Sequence, residues 1–172
     1  MKQHSSSGED EILSNSYDKV QAVFMDRDGT IGGTGHFVHP DSFTLYPNAQ
    51  KSIDLLKLAG IRVFALTNQH RISRGEATVE AFNKQFQGYG FDQAYICPHE
   101  DECVCRKPKP GMLIDAAKEH NLDLTKCVVI GDVGSTDMLA AHAVGAKKIL
   151  VRTGWGTPLI NDISGEMGGN GA

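Results

Sequence analysis

The sequence has no apolar run that approaches the length of a membrane-spanning helix, which needs about 20 consecutive apolar residues. It also lacks an excess of positive charge: 17 Lys and Arg stand against 21 Asp and Glu, a net charge of -4 with His neutral. A surface built to grip nucleic acid leans the other way, so nucleic acid and membrane are both set aside as partners. No apolar stretch marks the first residues, Met1 to Asp18, which are polar and Ser-rich. They do not read as a signal peptide but as a disordered extension, and the expected location is the cytoplasm. There are only four cysteines, and in a reducing compartment a tight cluster of Cys and His points to metal before disulfide.

What is present is a regular alternation. At 172 residues the chain has room for one domain and one core. Val20 to Met25 reads as a first strand and runs directly into Asp26. Gly32 to Gly35, His36-Phe37-Val38 and Phe43-Thr44-Leu45 are expected to form a small hairpin or flap. After Pro47 and Asn48 a helix carries Ile53, Leu55, Leu56 and Leu58 on or near one face and stops at Gly60. Ile61 to Leu66 is the second strand, Thr78 to Gln87 a helix, and Phe91 to Ile96 a third strand. Cys97 to Lys109 is a loop, and Pro110 to Asn121 a helix with Pro110 in its first turn. Cys127 to Ile130, Ser135 to Val144 and Lys148 to Val151 complete the series as strand, helix and strand.

This order predicts an α/β domain, a Rossmann-like three-layer sandwich with a mostly parallel central sheet. The domain is assigned to residues 19–154, between the extension at 1–18 and a Gly-rich tail at 155–172. Trp155 is expected to cover a core edge, and Cys127, inside a strand, to be buried core.

The chemistry is written at the strand ends. Asp26 and Asp28 follow the first strand, Thr67 and Asn68 the second, and Asp132 the fourth. In an open parallel sheet ligands bind beyond the carboxyl ends of the strands, so these groups converge. A carboxylate can attack phosphorus and form an aspartyl-phosphate. Both partners are anionic, and a hard divalent cation held by Asp26 and Asp132 would offset the repulsion. Thr67 and Lys107 can hold the other phosphoryl oxygens. Asp28 can protonate the leaving alkoxide and then activate water, which requires a raised pKa. Taken alone, Asp-x-Asp-Gly-Thr is equally a turn with a helix cap; the other motifs, in this order, favour catalysis.

Asp26-Arg27-Asp28-Gly29-Thr30, Thr67-Asn68-Gln69, Lys107, and Gly131-Asp132 with Asp137 together resemble the motifs of the haloacid dehalogenase superfamily of phosphohydrolases. Arg27 between the aspartates, Arg74-Gly75, and Cys105-Arg106-Lys107-Pro108 with Pro110-Gly111 are similar to the subgroup of D-glycero-D-manno-heptose 1,7-bisphosphate phosphatase and histidinol-phosphatase. The likeness runs from about Val20 to Gly154. It implies Asp26 as nucleophile, Asp28 as general acid and base, and Mg²⁺ held by Asp26, the Asp28 carbonyl and Asp132. Thr67 and Lys107 would contact the phosphoryl group, while Asn68 and Arg106 would bind substrate. Asp137 either orients Lys107 or caps the following helix. The family often inserts a cap domain, but here the intervals hold at most a flap, so an open site without a large cap is expected.

Cys97, His99, Cys103 and Cys105 form two pairs, each separated by one residue, with three residues between the pairs. Three thiolates and an imidazole suit a closed tetrahedral Zn²⁺ site. The subgroup is similar, with Cys-x-His and then Cys-x-Cys directly before Arg-Lys-Pro. A zinc clamp would stiffen an apolar-poor loop and fix Arg106 and Lys107. Exposed thiols or a disulfide are the rival readings.

His36, His39 and His70 lie near the expected site mouth and are as compatible with plain surface positions. Two departures from the subgroup concern the substrate: Thr34-Gly35-His36-Phe37 fills the flap, and Val133 stands where a Lys is expected. The leading expectation is a monomeric Mg²⁺-dependent phosphomonoesterase acting on a sugar phosphate or bisphosphate. The alternatives are a histidinol-phosphate or other small-ester phosphatase and, more remotely, an inactive zinc-stabilised binding module.

Overall fold

A computed structural model of the chain describes residues 19–154; the expected extension, the Gly-rich tail and Trp155 lie outside the described residues. Five strands form one sheet in the order β3-β2-β1-β4-β5. They are β1 (Ala22–Met25), β2 (Arg62–Asn68), β3 (Gln93–Cys97), β4 (Cys127–Gly131) and β5 (Lys147–Leu150). All pairings are parallel, with Ala22 opposite Arg62 on one side and Cys127 on the other. Parallel strands need crossovers, supplied by α1 (Ala49–Leu58), α2 (Val79–Gly88), α3 (Gly111–His120) and α4 (Leu139–Ala143).

The side-chain period of two sorts these strands into two cores. Ala22 and Phe24 of β1, with Phe64 and Leu66 of β2, pack on Met112, Leu113 and Ala116 of α3 and on Ala140 and Ala141 of α4. Val23 and Met25, with Val63 and Ala65, pack on Ile53 of α1 and on Phe82 and Phe86 of α2. The expected three-layer sandwich is therefore what forms. Cys127 is buried within the first core, as its position in a strand implies.

Local signals place the helices closely. Thr78 caps α2 by accepting the Ala81 N–H at 3.1 Å. Pro110 sits at the cap position of α3, one residue before the first turn assigned to it. In α1 the 3.6-residue period turns Ile53 and Leu56 inward. That rotation leaves Leu55 and Leu58 exposed, against expectation. The expected helix from Ser135 is split. Gly134–Met138 forms a wider π-helical turn before α4. Asp137, inside that turn, folds back to accept the Val133 N–H at 3.1 Å.

The flap is not a regular hairpin. Gly32 makes one antiparallel bridge to Leu45, and Pro40–Ser42 forms a single 3-10 turn. No cap domain interrupts the described residues, and none of their helices is long and apolar enough to cross a membrane.

Phe64 sits at the centre of the first core, with ring centroids 5.3 Å from Phe24, 5.9 Å from Tyr95 and 4.6 Å from His120. Phe64→Ala should cost about 3–5 kcal/mol in urea unfolding, whereas Phe64→Leu should cost well under half as much.

Candidate active site

The strand order reverses at β1, whose neighbours β2 and β4 lead to opposite edges of the sheet. Such a switch point opens a crevice above the strand ends. Asp26 follows β1 and Asp132 follows β4 across that crevice. Carboxylate oxygens of Asp26, Asp132 and Asp137 lie within 4.8 Å of one another. Two glycines make room for them. Gly29, at φ +84, and Gly131 leave no space for a Cβ beside Asp132 and Asp137 respectively.

Lys107 reaches the cluster from the loop after β3. Its ammonium donates to Asp26 Oδ1 at 3.0 Å, Asp137 Oδ1 at 2.6 Å and the Leu66 carbonyl at 2.7 Å. All three of its protons are thereby used inside the protein. Asp137 performs both of its expected roles at once, with one oxygen on Lys107 and the other on the Val133 N–H that opens the turn.

Three carboxylates crowd around one ammonium. Burial, with Asp137 and Asp132 close by, pushes the Asp26 carboxyl up to about 8 from 3.8 although Lys107 opposes the shift. Burial alone would lower the Lys107 pKa, but Asp26 and Asp137 raise it. An oxygen-rich site of three carboxylates fits one hard divalent cation.

Asp28 points into the same cavity and is held at both oxygens. Arg27 Nη1 donates to Oδ1 at 2.7 Å, and Gln69 Nε2 donates to Oδ2 at 2.6 Å. Burial raises the Asp28 pKa against the pull of Arg27 and Gln69, the direction a group that alternates between acid and base needs.

The cavity has a volume of about 430 Å³. Asp26, Asp28, Asn68, Arg106 and Lys107 line it, together with His36, Phe37, Gln69, His70 and Arg71. Thr67 and Asp132 are buried beneath it. Gln69 Nε2 donates to the Thr67 hydroxyl oxygen at 2.9 Å. Asn68, which lines the cavity, also braces the backbone. Its amide donates to the Lys107 carbonyl at 3.0 Å and accepts the Lys107 N–H at 2.9 Å. His39 accepts the Asp41 N–H at 3.2 Å and caps a turn, outside the cavity lining.

The Cys and His cluster forms as expected. The Cys97 sulfur lies 3.6 Å from both the Cys103 sulfur and His99 Nδ1, and His99 Nδ1 lies 3.2 Å from the Cys105 sulfur. Tetrahedral Zn–S bonds put sulfurs about 3.8 Å apart, so the donor set fits zinc. The Cys97–Cys105 separation of 2.8 Å is the tightest of these contacts. Arg106 Nη1 donates to the His99 carbonyl at 3.2 Å, so the clamp and the cavity share a strut.

Two side chains to which the sequence assigned no role of their own are bonded to the site residues. Gln69 links Thr67 to Asp28, and Arg27 links Asp28 to the flap. Their positions inside the motifs were visible, but their partners were not. Arg71, which stacks its guanidinium 5.2 Å from the Phe37 ring centroid, had no signal at all.

Similarity to known proteins agrees with this geometry. The HAD-hydrolase-like family model matches residues 104–162. The D-glycero-beta-D-manno-heptose-1,7-bisphosphate 7-phosphatase of Vibrio cholerae serotype O1 is 38% identical over 153 residues, covering 77% of this chain and 82% of that protein. The protein of the same name from Helicobacter pylori strain J99 is 34% identical over 146 residues, covering 77% and 83%. Among solved structures, D,D-heptose 1,7-bisphosphate phosphatase from B. bronchiseptica, complexed with magnesium and phosphate, aligns at a TM-score of 0.72. That alignment has 30% identity and covers 83% of this chain and 86% of the other. The chain belongs to the haloacid dehalogenase-like hydrolases, and among them to the family of the heptose bisphosphate phosphatases.

The raised Asp26 pKa has a consequence for stability. Between about 3.8 and 8 the folded, metal-free chain keeps a proton that the unfolded chain releases. This group therefore costs stability progressively as pH rises through that window. In EDTA, Tm should fall less steeply with rising pH for Asp26→Asn than for wild type; parallel Tm profiles would refute the shift.

Proposed function

We propose that the protein is a Mg²⁺-dependent phosphomonoesterase acting on a sugar bisphosphate through an aspartyl-phosphate on Asp26. One observation carries this reading. An open cavity ends on a carboxylate braced by a buried ammonium at 3.0 Å, with two further carboxylates within 4.8 Å and a second acid two residues on.

The chemistry follows from those placements. An Asp26 oxygen attacks phosphorus, forming an O–P bond as the ester P–O bond breaks, and Asp28 gives its proton to the departing alkoxide. Asp28, now ionised, takes a proton from water, which attacks the phosphoryl group and frees Asp26 and inorganic phosphate. Lys107 holds the Asp26 carboxyl, and contact with a phosphoryl oxygen would exchange one of its present bonds. Mg²⁺ would be held by Asp26, the Asp28 carbonyl and Asp132, and would supply the positive charge that lets two anions meet. Asp137, whose two oxygens are engaged, keeps the cluster anionic and Lys107 aligned.

Substrate class is supported by the named relatives and by the lining. Arg71 and Arg106 join His36 and His70 in the same cavity as Asp26 and Asp28, which suits a ligand with a second anionic group. The clamp of Cys97, His99, Cys103 and Cys105 is assigned to Zn²⁺, which would hold the loop that presents Arg106 and Lys107. Thiolates of this kind suit the reducing cytoplasm.

With Mg²⁺, purified protein should release phosphate fastest from sugar bisphosphates in a panel that includes histidinol phosphate and simple sugar monophosphates. Asp26→Asn should lower that rate by at least about 10³-fold. Wild type and mutant equally inert across the panel would defeat the enzyme reading.

Untreated protein should carry about one zinc per chain. Cys105→Ser should lose most of it and lower kcat/KM at saturating Mg²⁺. Full zinc-free activity would remove the clamp from the account.

A further inference from the structure

Arg27 is fully buried, with 0% exposure, an unusual place for a guanidinium, whose desolvation is costly unless its donors are met. Here they are met from three directions. Nη1 donates to Asp28 Oδ1 at 2.7 Å, Nη2 to the Val38 carbonyl at 2.9 Å, and Nε to Gln85 Oε1 at 2.8 Å. The Phe43 and Phe82 ring centroids lie 3.8 and 4.8 Å from its central carbon. Gln85 also donates from Nε2 to the Pro40 carbonyl at 2.9 Å. One planar group thus ties Asp28 to the flap at residues 38–43 and to helix α2.

We infer that Arg27 is a positioning residue: it holds the Asp28 carboxyl on line with the leaving oxygen and couples the seat of the flap to that acid. The inference rests on the phosphatase reading above and deepens it. Without Nη1, Asp28 keeps only the Gln69 bond at Oδ2, and its carboxyl can rotate. Proton delivery depends steeply on such alignment. Lysine keeps the charge, but a single ammonium cannot serve three acceptors in one plane and stack between two rings. The flap supplies His36 and Phe37 to the cavity, so a substrate seated on it presses on the same element that Arg27 anchors.

A general acid matters only when the leaving group needs a proton. The test therefore compares kcat/KM, which reports the steps through alcohol release, on two esters. One is a sugar phosphate with an alkoxide leaving group, and the other is 2,4-dinitrophenyl phosphate, whose phenolate leaves without protonation. Arg27→Lys should lose about 30-fold or more on the sugar phosphate, within the ~10²–10⁴ that positioned proton transfer contributes. On the activated ester it should stay within about threefold of wild type. Gln85→Ala, which loosens Arg27 without altering a buried charge, should show the same ester selectivity with a smaller loss. It decides the matter if Arg27→Lys does not fold. Equal losses on both esters would reduce Arg27 to a structural role, and no loss on either would make it idle; each outcome overturns the inference. Wild type inert on both esters is a different failure, that of the phosphatase reading itself.

Discussion

The arrangement depends on a single shared ammonium. Lys107 is the only cation bonded to the crowded carboxylates of Asp26 and Asp137 among the hydrogen bonds of the described residues. Without it, bringing Asp26, Asp132 and Asp137 within 4.8 Å of one another would cost more than a marginally stable domain can absorb. Much of the surrounding structure serves to deliver that ammonium. Asn68 clasps the Lys107 backbone from both ends of its amide, Leu66 offers a carbonyl, and Gly131 leaves room for Asp137.

Arg27 and Asp28 form a pair of their own beside the Asp26 cluster. Burial, with Asp137 and Asp132 beside it, pushes Asp26 upward against the pull of Lys107. Such a carboxylate set suits a divalent cation, and the B. bronchiseptica neighbour was solved with magnesium and phosphate. The cavity above lacks a cap among the described residues, and the flap, Arg71 and Arg106 form part of its wall.

Several features were legible because they are local. Asp26, Asp28 and Asp132 each follow a recognisable strand, so their meeting point could be named from strand order and the crevice at the carboxyl ends of a parallel sheet. The Cys and His spacing announced its cluster for the same reason. Errors arose where rotation or competition decided. Leu55 and Leu58 carry the apolar signal of a core face, yet the turn of α1 that buries Ile53 and Leu56 points them to solvent. The expected helix from Ser135 yields at Asp137, whose side chain is drawn to Val133 and Lys107. The partners of Thr67 and Asn68 were hidden too: Gln69 donates to the Thr67 hydroxyl, and the Asn68 amide clasps the Lys107 backbone.

By itself the sequence determined the strand-helix alternation, the parallel sheet, the carboxylates at its carboxyl edge and the metal-suited donor set, because hydrophobic period and motif spacing act over short stretches of chain. Only the tertiary structure decided what each polar atom bonds to. Arg27 and Gln85 are 58 positions apart and Lys107 and Asp26 are 81. Those meetings depend on how two packed cores set the sheet against its helices, and no local pattern encodes the distance between side chains that far apart in the chain.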